Sequence, residues 1–483
     1  MIKILSLDGG PGPLLELRVI ERLQRRFEQF GELGSFIDQA DVFAGTSNGG
    51  LMALYLARGL SEAQADREAG RTPRSPADII DGCLRFSDDY VSALAPGTRH
   101  LASLLAPFGA MRELTVGRAA SRAIEGPSLT DQLRRIARLP AHLAGSLGEI
   151  WKLRRTVLGK APLSPAEALE RHLIEAFGDW KLGDLTKKVV VLSFDTTAWK
   201  PRAFRNFWAS NGAPSDHRAQ RDRERDEALP LVEVGMSTAA LPLFLPVYGG
   251  SEDRGYLDGI FSANNPCASA VTLVMRHLIP PDDPHPLDQI VTLSMGVSQT
   301  AEEANIERAG GIGALVDLVA VDDRATRMRH SIPPGAEGGY FTDPAVRRQV
   351  NTHTSRKSIG NRNWGWRDYL ARPTFVANML VHGMNGEATA QAERLLRERF
   401  FRHAPRIQLA RCMYRMIFMG EDVRESELPH TAAVCLREPY DGSLCIPETR
   451  DEERNARDTD RLLSWVVTHW FSLEGVARAE AAE

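Results

Sequence analysis

The sequence lacks the features that mark several specialised classes of protein. Only five of its 483 residues are cysteine, the number is odd, and no pair has metal-ligand spacing. A reduced, cytoplasmic compartment therefore fits best, and we expect no metal or other cofactor. Lys and Arg (59) nearly balance Asp and Glu (63), and the resulting net charge of −4 gives no reason to expect a nucleic-acid polymer as partner.

Long apolar runs are also missing. No run approaches the roughly 20 residues that span a bilayer. The apolar opening, Ile2–Leu7, is too short for the core of a signal peptide. We therefore expect any membrane contact to be peripheral. The hydrophobic fraction of 43% is nevertheless enough to build a sizeable core.

The first 60 residues contain two strand–turn–helix patterns. Ile2–Leu7 precedes a cluster of Gly and Pro, after which apolar residues recur at helical spacing, namely Leu15, Val19, Leu23, Phe27 and Phe30. A second strand at 41–45 leads into an apolar helix at 49–56. Two strands separated by a helix predict a βαβ unit in a parallel sheet. Further predicted elements are strands at 188–194, 256–259 and 290–295 and helices at 231–240 and 266–278, the last with Asn265 as its N-cap.

The second turn carries a candidate nucleophile. Gly45-Thr46-Ser47-Asn48-Gly49 fits the G-x-S-x-G elbow, in which a sharp strand-to-helix turn exposes a serine hydroxyl. The pattern alone is common, but here it follows a predicted strand and precedes a predicted helix, as the elbow requires. The alternative is a helix cap with a small residue in the turn.

The first turn, Asp8-Gly9-Gly10-Pro11-Gly12, is a candidate anion site. Consecutive glycines allow backbone N–H groups to point at one spot ahead of a helix N-terminus. One interpretation is an oxyanion hole. A nucleotide-phosphate loop is a competing interpretation, although neither G-K-[ST] nor a full G-x-G-x-x-G follows; a plain tight turn is the third.

A nucleophilic serine needs a base. No histidine lies in an evident motif, and an elbow at residue 47 comes early for an α/β-hydrolase that uses histidine. Surface or packing roles are expected for five of the histidines, His285, His330, His353, His382 and His403.

Four blocks in order give the sequence a resemblance to a known family. They are the Gly-rich opening at 8–12, the elbow at 45–49, Ser237-Thr238-Ala239-Ala240-Leu241-Pro242, and Leu257-Asp258-Gly259 followed by Asn264-Asn265-Pro266. In these blocks the chain resembles the patatin-like phospholipases.

The resemblance implies a Ser–Asp dyad. Ser47 would attack an ester carbonyl and Asp258 would accept its proton, while Gly9, Gly10 and Gly12 would form the oxyanion hole. The alternative for Asp258 is a turn-capping aspartate, since Asp-Gly is a frequent turn dipeptide. The opening departs from the family pattern, with Pro11 at its third glycine, Pro13 at its basic position and Leu14 at its last glycine. Pro11 has no N–H to donate.

These observations predict an α/β fold of the patatin-like three-layer α/β/α type, with a central, mostly parallel sheet. We place the hydrolase domain at 1–400, with a helical insert at about 73–182, and a helical C-terminal extension at 401–483 that packs on the same domain. The predicted function is hydrolysis of acyl esters in phospholipids or related lipids, of the phospholipase A or lysophospholipase type. The alternatives are a non-catalytic lipid-binding or scaffolding protein and a soluble-ester hydrolase or acyltransferase.

Two basic segments are candidates for further contacts. Residues 128–160 carry seven basic and two acidic residues among interleaved Leu, Ile and Trp. This pattern is typical of a peripheral membrane contact, and equally of a solvated helical face. Residues 356–367 mix cations with two tryptophans, which suits a lipid head group or a small regulatory phosphate ligand, or else an ordinary exposed loop.

Overall fold

The fold is described from a computed structural model of the 483-residue chain. It describes residues 1–10, 12–28, 35–90, 166–209, 223–242, 245–299, 373–407, 427–440, 443–444, 447 and 450–471. The two basic segments predicted at 128–160 and 356–367 lie outside these residues.

The centre of the fold is an eight-stranded mixed sheet. Its strands are β1 (Ile2–Leu7), β2 (Val42–Thr46), β3 (Lys188–Asp195), β4 (Lys200–Arg205), β5 (Tyr248–Gly249), β6 (Gly255–Asp258), β7 (Ile290–Met295) and, after the two-residue β8 (Ser298–Gln299), β9 (Phe400–His403). Their order is β5-β6-β3-β2-β1-β7-β9, with β4 also paired to β3. The pairs from β3 through β2, β1 and β7 to β9 are parallel, and those made by β4, β5 and β6 are antiparallel. The sheet is therefore mostly parallel with an antiparallel edge.

Helices cover both faces of the sheet. They are α1 (Gly12–Glu28), α2 (Asn48–Glu68), α3 (residues 76–90), α4 (Ala166–Phe177), α5 (Leu231–Ala239), α6 (Cys267–His277), α7 (Pro373–Leu396), α8 (Glu427–Leu436) and α9 (Arg450–Trp465). Residues of α1 to α5, α8 and α9 share one core, and residues of α6 and α7 belong to a second. This is the predicted three-layer α/β/α arrangement.

Strict alternation along the central strands separates the two cores. In β3, Val189 and Val191 pack into the larger core, whereas Val190 and Leu192 pack into the smaller one. Such alternation follows from the two-residue repeat of a strand. Both faces are apolar because helices cover both, which is the usual condition of parallel strands.

The βαβ prediction at the start of the chain is confirmed. β1 and β2 are parallel, and Leu7 lies opposite Gly45. The loop that follows β1 and the elbow that follows β2 therefore leave the same edge of the sheet at the same level. The helix after the elbow is longer than predicted, because no residue interrupts it until Gly70, which adopts a φ of 68° just beyond its end.

The antiparallel strand β6 brings a third loop to this edge. β4 pairs with β3 over 190–195, so β2 and β6 must share the other side of β3. The last residue of β2, Thr46, lies opposite Leu192 of β3. The last residue of β6, Asp258, lies opposite the next residue of β3, Ser193. The ends of β2 and β6 therefore meet.

The C-terminal part contributes to the same sheet. The boundary expected between residues 400 and 401 falls inside β9, which pairs with β7. Farther on, the Trp470 ring stacks on Phe36 at 5.4 Å and its indole N–H is donated to the Phe36 carbonyl. The described residues after 400 thus form a sheet strand as well as helices.

The other predicted strands and helices between residues 188 and 295 agree with the structure within one or two residues, whereas residues 91–165 of the helical insert predicted at about 73–182 lie outside the described residues. Helix α6 starts at Cys267, so its N-cap is Pro266, one residue after the predicted Asn265; Asn265 Oδ1 nevertheless accepts the first N–H of the helix, that of Cys267, at 3.0 Å. β4 was not predicted, because its charged sequence, Lys-Pro-Arg-Ala-Phe-Arg, has no apolar alternation. None of the helices in the described ranges is long and apolar enough to cross a membrane.

Candidate functional site

The turn after β2 has the geometry of an elbow. Ser47 adopts φ 54° and ψ −126°, a strained conformation for a residue other than glycine. A Cβ at Gly45 would overlap the backbone of Gly49, and one at Gly49 would overlap the Asp8 and Leu7 carbonyls. Glycine at both flanks is therefore required for the strand, the helix and the neighbouring loop to approach this closely.

The hydroxyl of Ser47 faces the second predicted residue. Ser47 Oγ donates a hydrogen bond to Asp258 Oδ2 at 2.7 Å, across 211 positions of sequence. The other carboxylate oxygen, Oδ1, accepts the Ile260 N–H at 2.8 Å. The turn-capping role considered for Asp258 is therefore present together with the contact to Ser47.

Burial dominates the electrostatics of this carboxyl group. Asp258 is 1% exposed, while Ser47 is partly exposed. Burial raises the pKa of Asp258 to about 7, although the hydrogen bonds from Ser47 and from the Ile260 N–H oppose the shift. At neutral pH the group is therefore divided between its ionised and protonated forms.

A threonine to which the sequence assigned no role supports the elbow. Thr238 Oγ1 accepts the Ser47 N–H at 2.8 Å and donates to the Leu192 carbonyl at 2.6 Å. Its hydroxyl thus fixes the serine backbone to the neighbouring strand β3. The sequence offered one signal, the small-residue block at 237–242, but no physical rule identified which hydroxyl in it would matter.

The glycine loop lies beside the elbow, and the amide of its first glycine is already hydrogen-bonded. The Gly9 N–H is donated to the Asn264 carbonyl at 3.1 Å. A Cβ at Gly9 would lie 2.5 Å from Asn264 Oδ1 and 3.2 Å from Ser47 Cβ, so a side chain at this position would have to displace the Asn264 amide and press on the elbow. Gly10 is partly exposed at φ 95°, and its carbonyl accepts from Asn48 Nδ2 at 3.2 Å. Gly12 is the first residue of α1.

Of the histidines expected at surface or packing positions, His403 is a clear example of packing. It is buried, its Nε2 lies 3.1 Å from Thr459 Oγ1, and burial lowers its pKa to about 3. In the described residues no group of three or more His, Cys, Asp or Glu side chains is placed to bind a metal ion.

A model of the patatin-like phospholipase family matches residues 5–271, which include the glycine loop, the elbow and Asp258. The chain belongs to the patatin-like phospholipase family. Its curated relatives are distant members: patatin-like protein 2 of Arabidopsis thaliana is 22% identical over 338 residues, which are 65% of each chain. Patatin-like protein 2 of Oryza sativa subsp. indica is 22% identical over 289 residues, or 58% of this chain and 54% of the relative.

The chain thus spans 65% of the Arabidopsis relative, and the family model ends well before β7 and β9. Among solved structures, the crystal structure of VipD from Legionella pneumophila aligns with 99% of this chain and 92% of its own, at 12% identity and a TM-score of 0.28. The α/β fold of this patatin-like protein is shown by its own strand pairing.

Proposed function

We propose that the protein is a lipid acyl hydrolase in which Ser47 is the nucleophile and Asp258 the general base. The observation that carries the proposal is the 2.7 Å hydrogen bond from Ser47 Oγ to the buried carboxylate of Asp258, at a strained elbow. A serine hydroxyl is a weak nucleophile until an adjacent base accepts its proton. Membership of the family supports a lipid ester as the substrate class.

The two residues account for a complete cycle. Ser47 Oγ attacks the ester carbonyl carbon while its proton passes to Asp258 Oδ2, and the carbonyl oxygen becomes an oxyanion. Collapse of the tetrahedral intermediate breaks the ester C–O bond, and the departing alkoxide takes the proton from Asp258. Water then attacks the acyl-enzyme, Asp258 accepts a water proton, and collapse returns it to Ser47 as the fatty acid leaves.

The pKa of Asp258 suits both halves of this cycle. A general base is most effective when its pKa lies near the working pH, since it must be ionised in part and yet hold a proton once it has one. An ordinary aspartate, with a pKa near 3.8, would return the proton too readily. Burial raises the pKa of Asp258 to about 7 and so removes this difficulty without a histidine.

Backbone amides of the glycine loop are the proposed oxyanion donors. The Gly9 N–H is engaged with the Asn264 carbonyl, so within the predicted set we assign the donor role to Gly10 and Gly12. Gly9 then contributes by its lack of a side chain, which lets the loop lie against Ser47. Donors fixed before the reaction stabilise developing charge without the cost of reorganising solvent.

The substrate proposed is a phospholipid or lysophospholipid acyl ester. The proposal includes a peripheral membrane contact through residues 128–160 and a small phosphate-bearing regulator at 356–367. Both segments are outside the described residues, and the two proposed contacts are supported by the sequence patterns alone.

The test combines covalent labelling with turnover. A fluorophosphonate should label the wild type, and Ser47→Ala should abolish the labelling and the hydrolysis of phospholipid vesicles and of a soluble monomeric ester. Ser251→Ala is the matched control, because the hydroxyl of this exposed serine is bonded to Glu233, and the variant should be labelled as the wild type is.

Each other outcome favours a different function. Full turnover by Ser47→Ala would disprove the nucleophile assignment. Binding of vesicles with no turnover of either substrate would favour the lipid-binding scaffold. Turnover of the soluble ester alone, or transfer of the acyl group to an added alcohol in preference to water, would favour the soluble-ester hydrolase or acyltransferase.

A further inference from the structure

A buried ion pair lies immediately behind the glycine loop. Arg402, on β9, donates from Nη1 to Asp8 Oδ1 at 2.8 Å and from Nη2 to Asp8 Oδ2 at 2.5 Å. Nη1 also donates to Ser294 Oγ at 2.8 Å. The side chains of Arg402 and Asp8 are 12% and 2% exposed. Two parallel hydrogen bonds from a planar guanidinium define direction as well as distance, which a lysine ammonium cannot do.

Asp8 is the first residue of the loop, so this pair fixes the loop at its root. The Asp8 N–H is donated to the Met295 carbonyl at 3.0 Å and the Gly9 N–H to the Asn264 carbonyl at 3.1 Å. The main chain is thus held from β7 and from the segment after β6. The carboxylate of Asp8 is held from a third direction, by Arg402. Residues 8–14, which are the loop and the start of α1, contain no Arg or Lys.

A glycine on the neighbouring strand end leaves space for this ion pair. Gly296 follows β7, and a Cβ there would overlap both Arg402 Nη2 and Asp8 Oδ2. The Gly296 N–H is donated to the His403 carbonyl, so its backbone cannot move away independently of β9. The φ of Gly296 is not positive, so its backbone conformation does not call for glycine. The close approach of the ion pair does.

The charge balance of the cluster favours a positional effect over an electrostatic one. The Asp8 carboxylate compensates the Arg402 charge. A second acidic side chain, Glu16, is fully buried, and neither of its oxygens has a hydrogen-bond partner among the described residues. Burial first, and the Asp8 charge second, raise the pKa of Glu16 well above its ordinary value, so we expect it to be protonated. The cluster then carries little net charge to act on an oxyanion.

We propose that Arg402 is a positioning residue for the oxyanion loop, acting through its bidentate contact with Asp8 and without touching the substrate. The inference rests on the proposed function and adds to it a residue that lies beyond the family-matched part of the chain, 5–271. Backbone donors are effective only when held where the oxyanion will form, and a displacement of about 1 Å can cost a factor of 100 in rate.

The test is kinetic and uses the full chain with a soluble monomeric ester. Arg402→Lys keeps the charge but loses the parallel pair of hydrogen bonds to the two Asp8 oxygens, and Gly296→Ala disturbs the pair without changing any charge. Both should lower kcat by about 10- to 100-fold with KM within about twofold. The apparent pKa of the pH–rate profile should stay near that of the wild type, because neither change touches Asp258. Arg399→Gln is the control, since it removes an ion pair with Asp288 just before the same strand.

Each outcome decides the proposal. A folded Arg402→Lys or Gly296→Ala with wild-type kcat overturns it, as does a parallel loss in Arg399→Gln. If Arg402→Lys does not fold, the double variant Asp8→Asn/Arg402→Met removes both charges together; its folded form should still have low kcat, and wild-type kcat would overturn the proposal. Ser47→Ala in the same assay separates the two levels: an active Ser47→Ala refutes the proposed function, whereas an inactive one beside a normal Arg402→Lys refutes this inference alone.

Discussion

The buried carboxyl of Asp258 predicts how stability and activity change with pH. Its pKa rises from 3.8 to about 7 in the folded chain, and a rise of this size corresponds to about 4 kcal/mol. Between about pH 4 and pH 7 the folded chain keeps a proton that the unfolded chain releases. The free energy of unfolding therefore falls by about 4 kcal/mol as pH rises through this window, and this contribution stays constant above it.

Replacing Asp258 by asparagine should abolish the loss of stability at high pH, and it should abolish the activity as well. In Asp258→Asn the new side-chain amide can still accept the Ile260 N–H and can donate to Ser47 Oγ. At pH 8 the variant should be more stable than the wild type by up to about 4 kcal/mol, and at pH 4 the difference should vanish. Its kcat should fall by about 100- to 10,000-fold, the usual contribution of a general base. Wild-type kcat/KM should rise through about pH 7.

Denaturant titrations of both proteins at pH 4, 6 and 8 measure the effect, with Asp195→Asn as the control. Burial raises the pKa of Asp195, but hydrogen bonds from the Ala198 N–H and Arg254 lower it overall. Asp195 therefore stabilises the fold at pH 8, and that contribution is lost as pH falls below its ordinary pKa, so Asp195→Asn should lose stability at pH 8. The difference in free energy of unfolding between Asp258→Asn and the wild type should grow from pH 4 to pH 8. If it does not, burial does not raise the pKa of Asp258 as stated.

Two further predictions concern the backbone of the site. Gly10→Ala should lower kcat by about 100- to 1,000-fold if the Gly10 amide is a donor, because φ 95° strains any other residue although the space around it is open. Gly70→Ala carries similar strain at a surface helix end and should leave kcat unchanged; equal effects of the two would contradict the donor role. Thr238→Val should lower kcat at least tenfold by releasing the Ser47 N–H, whereas Thr238→Ser keeps the hydroxyl and should behave as the wild type. Normal kcat in Thr238→Val would show that the elbow holds without it.

The sequence predicted the parts of the site that depend on local geometry. Gly45 and Gly49 are fixed by a turn in which a strand and a helix approach within van der Waals contact, and such a turn leaves a short, spaced pattern. Asp258 was found because its block resembles that of a family, and spacing alone would have left it as a turn residue. The pairing of Ser47 with Asp258 could then be expected, although 211 positions separate them.

The residues that escaped prediction act through tertiary contacts with no local pattern. The Thr238 hydroxyl is one of several in a small-residue helix end, and its partners, Ser47 just after β2 and Leu192 on β3, become neighbours only in the folded sheet. Arg402 and Asp8 are 394 positions apart. In sequence Arg402 stands in Phe-Phe-Arg-His, where an arginine in a short strand is typical of an edge exposed to solvent. Its burial depends on β7, Gly296 and Asp8 together, so no single segment could have indicated it.

The strand order explains why so distant a segment reaches the site. β1 lies between β2 and β7, and β9 pairs with the far side of β7, so Asp8 after β1 and Arg402 on β9 are separated by a single strand. The four strands β2, β1, β7 and β9 are parallel, so their carboxyl ends lie at one edge of the sheet. Open α/β sheets usually bind their ligands at this edge. The register places Ser294 of β7 beside both Ser6 and Arg402, at the level where the loop begins. We therefore expect changes in β7 or β9 to alter the geometry of the glycine loop while Ser47 and Asp258 remain in contact.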